Sequence, residues 1–164
     1  MKRFLQLGTI LLALFVAASA YVHPYGSVKA ARSEQPLLAG AQVDPELVRI
    51  VERSCQNCHS EKTEWPWYSY LAPLSWMIEN DVRKGRNHMN LSHWDRYPED
   101  RKVELLTKIG VEVRNRRMPL PNYLRLHPQA RLSDNEVAQI YAWMQGERRR
   151  LRAVIRQKSR VPAD

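Results

Sequence analysis

The sequence predicts an all-α protein. Apolar residues recur at helical spacing in four separate segments, and two of those segments open on strong helix-start signals. No run carries the two-residue alternation or the boundaries of a strand, and no repeats occur. A third observation concerns what the helices hold: both cysteines of the chain lie three residues apart, in Cys55-Gln56-Asn57-Cys58-His59.

In chain order, the amino terminus has the pattern of an export signal. Lys2 and Arg3 precede an apolar run from Phe4 to Ala17, and Ala18-Ser19-Ala20 supplies a small-x-small cleavage site. Cleavage after Ala20 leaves Tyr21 first. The alternative is an uncleaved anchor, because Phe4 to Val22 is 19 residues, although Gln6, Gly8 and Thr9 weaken such a span. Either way the expected location is periplasmic or otherwise extracytoplasmic, with residues 4–22 as the anchor if retained. Residues 21–43 show no sustained period and read as a linker.

Asp44-Pro45-Glu46 reads as a helix start, with an N-cap Asp, Pro at the first helical position and an acid in the first turn. Leu47, Ile50, Val51 and Ser54 then share one face, and the helix delivers the chain into Cys55. The aromatic stretch Trp65-Pro66-Trp67-Tyr68-Ser69-Tyr70 is broken by Pro66 and is expected to be a packed loop. A second helix is expected from Ala72-Pro73 to about Lys84, with Leu74, Ile78 and Val82 on its stripe and Met77 as packing. Ser92-x-x-Asp95 has capping-box spacing. A third helix is expected from Glu99 to Asn115 on Val103, Leu106, Ile109 and Val113, weakened but not ended by Gly110.

Two prolines give Met118-Pro119-Leu120-Pro121 an extended course. Leu132-Ser133-Asp134-Asn135-Glu136 combines a hydrophobic staple with a capping box. The last core helix follows on Val137, Ile140, Tyr141 and Met144, with Gly146 expected to bend or end it. Leu151, Val154 and Ile155 extend helical character into a basic tail. These signals delimit one domain over residues 44–146 and a tail over 147–164.

The cysteine motif carries the chemistry. Two cysteines placed at random in so short a chain fall three apart in roughly one case in eighty, and a following histidine is rarer still. Thiols one helical turn apart can each bond a haem vinyl group, with the histidine as the proximal iron ligand. The motif therefore predicts one haem c, covalently held through Cys55 and Cys58 and ligated by His59. Three other readings compete. A thioredoxin-type pair wants a βαβ setting that the flanking sequence lacks. A structural zinc site needs two more ligands from scattered histidines. A plain disulfide would close too small a ring to stabilise much.

Met118 is the expected sixth ligand, 59 residues beyond His59 and stiffened by its prolines. A thioether donor there raises the reduction potential. His88 is the rival, in a polar turn, and is more commonly a surface or capping residue. His93 is a further rival; His127 and His23, each before a proline, read as loop residues, and Met144 as packing.

The full chain carries 26 basic and 17 acidic residues; without Lys2 and Arg3, 24 basic residues leave a formal +7. Much of the excess lies in Arg148, Arg149, Arg150, Arg152, Arg156, Lys158 and Arg160. Behind an export signal this favours an acidic or membrane-bound redox partner, or anionic lipid at the basic tail, over nucleic acid, with a solvated basic helix end as the equal alternative.

The order of helix, CxxCH, helices, Met-Pro loop and final helix resembles the class I cytochrome c arrangement, in which first and last helices cross beside the haem. More closely, the chain resembles the bacterial haem-binding domain family of exported CxxCH proteins. The residues that carry this are Cys55 to Ser60, Thr63-Glu64-Trp65-Pro66-Trp67-Tyr68-Ser69, Ala72-Pro73-Leu74-Ser75-Trp76, Asp81-Val82 and Gly85-Arg86. They continue through Asn90-Leu91-Ser92-x-Trp94, Met118 to Pro121, Tyr123, and His127-Pro128-x-Ala130-x-Leu132-Ser133, so that residues 45–145 are covered. The resemblance implies a single covalent haem c on Cys55, Cys58 and His59, with Met118 where a methionine ligand is expected.

The leading functional expectation is an electron carrier rather than an enzyme, with Trp65, Trp67 and Trp76 as pocket walls or core. The alternative is a peroxidase-like haem enzyme or small-ligand sensor with a displaceable sixth position and His88 or Arg86 as distal donor. The Glu61/Glu64 pair reads as a solvated turn, not an acid–base couple.

Overall fold

The computed structural model describes residues 2–19 and 28–160; the cleavage-site Ala20, Tyr21 and His23 fall outside them. Among the described residues there are seven α-helices, three short 3-10 turns and no strand, as an all-α protein requires.

Helix α1 (Lys2–Ser19) is exposed wherever its side chains are described. No helix among the described residues is long and apolar enough to cross a membrane.

Helix α2 (Pro45–Ser54) begins as its sequence dictates. The Asp44 carboxylate accepts the Glu46 N–H at 2.7 Å, Pro45 is its first residue, and Leu47, Ile50, Val51 and Ser54 are its buried face. Burying each of the three aliphatic side chains contributes about 1.5–3 kcal/mol before the entropy of ordering them. The one-turn helix α3 (Gln56–His59) follows directly, so that the cysteine motif is the corner between α2 and α3.

Helix α4 (Leu74–His88) starts close to its expected position and runs one turn longer. Its buried residues are Ser75, Glu79 and Val82, whereas Leu74 and Met77 are exposed. The stripe read from Leu74, Ile78 and Val82 is therefore rotated, because a buried ion pair between Glu79 and Lys29, at 3.3 Å, competes for the inner face. The aromatic stretch before it is a 3-10 turn (Trp67–Tyr70) with Trp67 exposed, not packed.

The next 3-10 turn (Leu91–Arg96) is capped by Asn90, whose side chain accepts the Ser92 N–H; the expected Ser92 cap is absent. Helix α5 (Glu99–Arg114) buries Leu105, Leu106, Gly110 and Val113. Met118 to Leu120 is non-helical, but Pro121 opens a short helix, α6 (Pro121–Leu126), rather than extending the loop.

Helix α7 (Asp134–Lys158) has the expected capping box: Ser133 Oγ accepts the Glu136 N–H and Glu136 Oε2 accepts the Ser133 N–H. It does not break at Gly146. The helix continues for twelve more residues because Leu151 is buried in the core and Lys158 reaches Glu99 of α5 at 2.7 Å.

The main helix pairing is α5 on α7, where Gly110 allows close approach: a Cβ at that position would overlap Met144 Cε. Helix α2 touches α7 more lightly, so the expected crossing of first and last domain helices is a secondary contact. The principal core gathers Val51, Leu91, Trp94, Leu105, Leu106 and Met144, with Trp94 fully buried. Leu37 and Leu38, within the segment read as linker, also belong to it, and the Leu38 N–H donates to the Leu91 carbonyl at 3.1 Å.

Candidate functional site

Helices α2 to α5, the Met118 loop with Tyr123, and Ile140 and Trp143 near the carboxy-terminal end of the fold line a partly open cavity of about 660 Å³ whose walls are mostly apolar. Cys55, Cys58 and His59 line it, and Met118 lines it too, brought there from the far end of α5. Cys55 and Cys58 are half-buried free thiols. Burial pushes the Cys55 thiol up to about 12, with the neighbouring Cys58 adding to it, and pushes Cys58 up to about 11, with Asp81 adding to it. Neither thiol has the lowered value of a thioredoxin-type nucleophile.

Among the described residues no three His, Cys, Asp or Glu side chains converge on a metal position. The zinc reading of Cys55 and Cys58 finds no further ligands among the described residues. His93 pairs instead with Glu61 at 3.2 Å, and His127 is held elsewhere. Glu61 is engaged rather than solvated, since it also accepts from Asn90 at 3.3 Å.

His59 is the best-defined group. Its Nδ1 lies 3.1 Å from the Gly85 carbonyl oxygen and 3.2 Å from that of Met89. Both partners are acceptors, so Nδ1 carries the hydrogen and Nε2 keeps its lone pair. Burial lowers its pKa, against the two carbonyls that favour the charged ring, so the neutral form is the resting one. A neutral imidazole with an oriented ring and a free Nε2 is the arrangement of a metal-binding histidine.

Helix α4 supplies this frame by coming very close. A Cβ on Gly85 would fall on the Cys58 carbonyl oxygen, well inside van der Waals contact, so only glycine permits the approach. Arg86, the next residue, donates to the Ser60 carbonyl (2.8 Å), the Val28 carbonyl (2.8 Å) and Thr63 Oγ1 (3.0 Å). Its guanidinium is spent on Ser60 and Thr63 after the motif and on Val28 before it, and it does not line the cavity, which removes it as a distal donor. His88 stands exposed at the cavity's edge with Nδ1 bonded to the Lys84 carbonyl of its own helix at 2.9 Å, the surface role expected of it.

On the Met118 side the ties are fewer. The Met118 N–H donates to the Glu112 carbonyl at 3.3 Å, and Tyr123 OH accepts from Asn57 Nδ2 at 3.0 Å. Tyr123 stacks on His127, with ring centroids 4.3 Å apart, and His127 Nε2 meets Tyr68 OH at 2.6 Å. Asn57, inside the motif, thereby links the corner to α6, a role its sequence position does not announce.

Trp65, Trp67 and Trp76 do not line the cavity; Trp143 does, with its indole N–H given to the Gln42 carbonyl at 2.8 Å. Ser54, buried in the cavity wall, has a hydroxyl with no partner among protein atoms. Lys84 and Lys108 stand at the polar edge. Apolar walls, a volume within the range of cofactor sites, a free imidazole nitrogen and an unpartnered hydroxyl fit a haem, a flat and largely apolar body, while the charged edge carries both signs, Lys84 and Lys108 with Asp81 and Glu112.

The comparisons with known proteins agree. The chain is 26% identical over 137 residues to cytochrome c peroxidase of Escherichia coli strain K12, covering 82% of this chain and 30% of that protein. The chain thus spans less than a third of the length of that relative. No solved structure matches significantly. The family described as the haem-binding domain matches residues 14–146. That match covers most of the chain and both sides of the cavity, and the protein belongs to the haem-binding domain family.

Proposed function

We propose that the protein is an exported monohaem c-type cytochrome that carries single electrons. The observation that supports this most is the joint lining of one apolar cavity by Cys55, Cys58, His59 and Met118, with His59 Nε2 left free by two carbonyls on Nδ1. In this reading Cys55 and Cys58 would hold the haem covalently through thioether bonds to its vinyl groups. His59 Nε2 and the Met118 sulfur would be the groups that ligate its iron. The haem supplies a one-electron iron couple, whose potential a methionine sulfur raises. The residues around it exclude water and hold the imidazole; no acid–base group is required. The redox partner is acidic or membrane-bound, matched to the basic face of α7.

A second reading, a peroxidase-like enzyme with a displaceable Met118, draws support from the similarity to cytochrome c peroxidase. Arg86 offers it nothing, since its guanidinium is bound to Ser60, Val28 and Thr63.

The test is the optical spectrum of the haem-loaded ferrous protein with and without carbon monoxide, beside Met118→Ala. An electron carrier leaves the wild type unchanged by carbon monoxide while the variant binds it. Ready binding by the wild type would replace the carrier with the enzyme reading. Covalent attachment is read separately: haem should stay with the denatured wild-type chain and be released in part when Cys55 or Cys58 is replaced by Ala.

A further inference from the structure

The fourteen residues from Trp65 to Ile78 contain no charged side chain, and several of the largest face outward. Trp67 is 76% exposed, Met77 57%, and Tyr70, Leu71 and Leu74 are exposed as well. Trp67 and Tyr70 stand three apart on a 3-10 turn, where such residues eclipse, and Leu74 and Met77 three apart on α4, so each pair shares a face. The turn and the start of α4 pack together, joining the two pairs into one apolar surface. A surface of this kind marks a protein or membrane contact.

Where the chain enters the domain decides between these. Residues 28 and 29 are clamped beside this surface. Arg86 holds the Val28 carbonyl, while the Lys29 ammonium donates to the Ser69 carbonyl (2.5 Å) and pairs with Glu79. The same ammonium lies 3.9 Å from the Tyr70 ring centroid. Helix α1 ends at Ser19, nine residues before Val28, so the connection reaches at most about 32 Å. Helix α1 itself presents Phe4, Leu7, Leu11, Leu14 and Phe15 uncovered. Two uncovered apolar surfaces are therefore joined by a short tether that emerges at the edge of one of them.

We propose that the Trp67–Met77 surface seats the domain on a lipid bilayer whose interfacial zone also takes up the uncovered apolar side chains of α1. A bilayer covers both surfaces at once, and tryptophan and tyrosine on the domain side suit the interfacial zone between headgroups and acyl chains. The uncharged stretch means this contact needs no anionic lipid and is distinct from any made by the basic α7 face. The inference stands whether the haem carries electrons or reacts with peroxide, and it requires that α1 be retained.

The experiment uses the full haem-loaded chain in phosphatidylcholine vesicles, with plain lipid compared against lipid brominated near the headgroup end of its acyl chains. Bromine quenches tryptophan emission on contact. The wild type should lose emission in brominated vesicles, and Trp67→Phe should abolish that loss while still binding the vesicles. Leu74→Glu with Met77→Glu, both at exposed positions, should also abolish it with the haem spectrum unchanged. Equal emission in the two lipids, a quenching loss that survives Trp67→Phe, or failure of the full chain to bind vesicles would each overturn the proposal. Dimers cross-linked through Trp67 in place of quenching would overturn it in favour of a second copy of the chain.

Discussion

The two sides of the cavity are built differently. The Cys55–His59 corner is gripped by α4: Gly85 allows contact with the Cys58 backbone, two carbonyls hold the His59 ring, and Arg86 ties Ser60 and Thr63 beyond it to Val28 of the entering chain. On the Met118 side Met118 itself makes one long backbone hydrogen bond, and the support comes from its neighbours: Arg116 and Arg117 bond back to the end of α5, and Tyr123 reaches Asn57 and stacks on His127. The cysteine corner is therefore the more tightly tied of the two sides of the cavity.

The sharpest way to break that contrast is Gly85→Ala. A methyl group there meets backbone rather than a mobile side chain, so the corner must move, at a cost of about 3 kcal/mol, the upper end of ordinary overpacking. Urea unfolding should show that loss, and haem retention should fall with it. An unchanged midpoint would mean that α4 does not set the corner.

Arg86→Ala should follow at about 2 kcal/mol, because it leaves partly buried acceptors on Ser60, Val28 and Thr63 without their donor. Arg86→Lys should recover little, since one ammonium cannot reproduce the fork. On the other side of the cavity, Tyr123→Phe removes a single hydroxyl and leaves Asn57 Nδ2 unpaired, for about 1 kcal/mol in urea unfolding. A larger loss from Tyr123→Phe than from Arg86→Ala would invert the comparison.

The smallest effect is a pH dependence outside the cavity. The Ser133 backbone N–H, with Arg53 adding to it, holds the Glu136 carboxyl below its ordinary value. A carboxylate lowered in the native state stabilises fully above its unfolded value, about 4.3, and that contribution is lost as pH falls through the lowered native value. Melting temperature against pH should therefore fall less steeply below about pH 4.3 in Glu136→Gln than in wild type. Because Glu136 lies at the surface, added salt should shrink the difference.

These contrasts also show what a sequence displays. The buried face of α2, its Asp44 cap and the Ser133–Glu136 box were legible because each depends on neighbours within one or two turns. The motif cysteines, His59 and Met118 were legible as residue types, and the fold brings them to one cavity. What was hidden depends on distant partners. Gly85 reads as the start of a polar turn after the second helix until α4 runs through it and the Cys58 carbonyl is placed against it. Leu37 and Leu38 carry no period, being only two residues, yet both are in the core. Trp67 was expected inside because tryptophan usually is, and Lys29 with Glu79 took the inner face that Leu74 would have had. Helix α7 passed through Gly146 because Leu151 and Lys158 have partners that no local pattern can reveal.

That long final helix has a practical consequence for anyone moving this module into another polypeptide. The family match ends at residue 146, and a graft cut there would look complete on paper. It would nevertheless open a leucine-sized hole where Leu151 sits and release the strut between Lys158 and Glu99. The portable unit extends at least to Lys158, and what reads in the sequence as a disposable basic appendage is part of the frame.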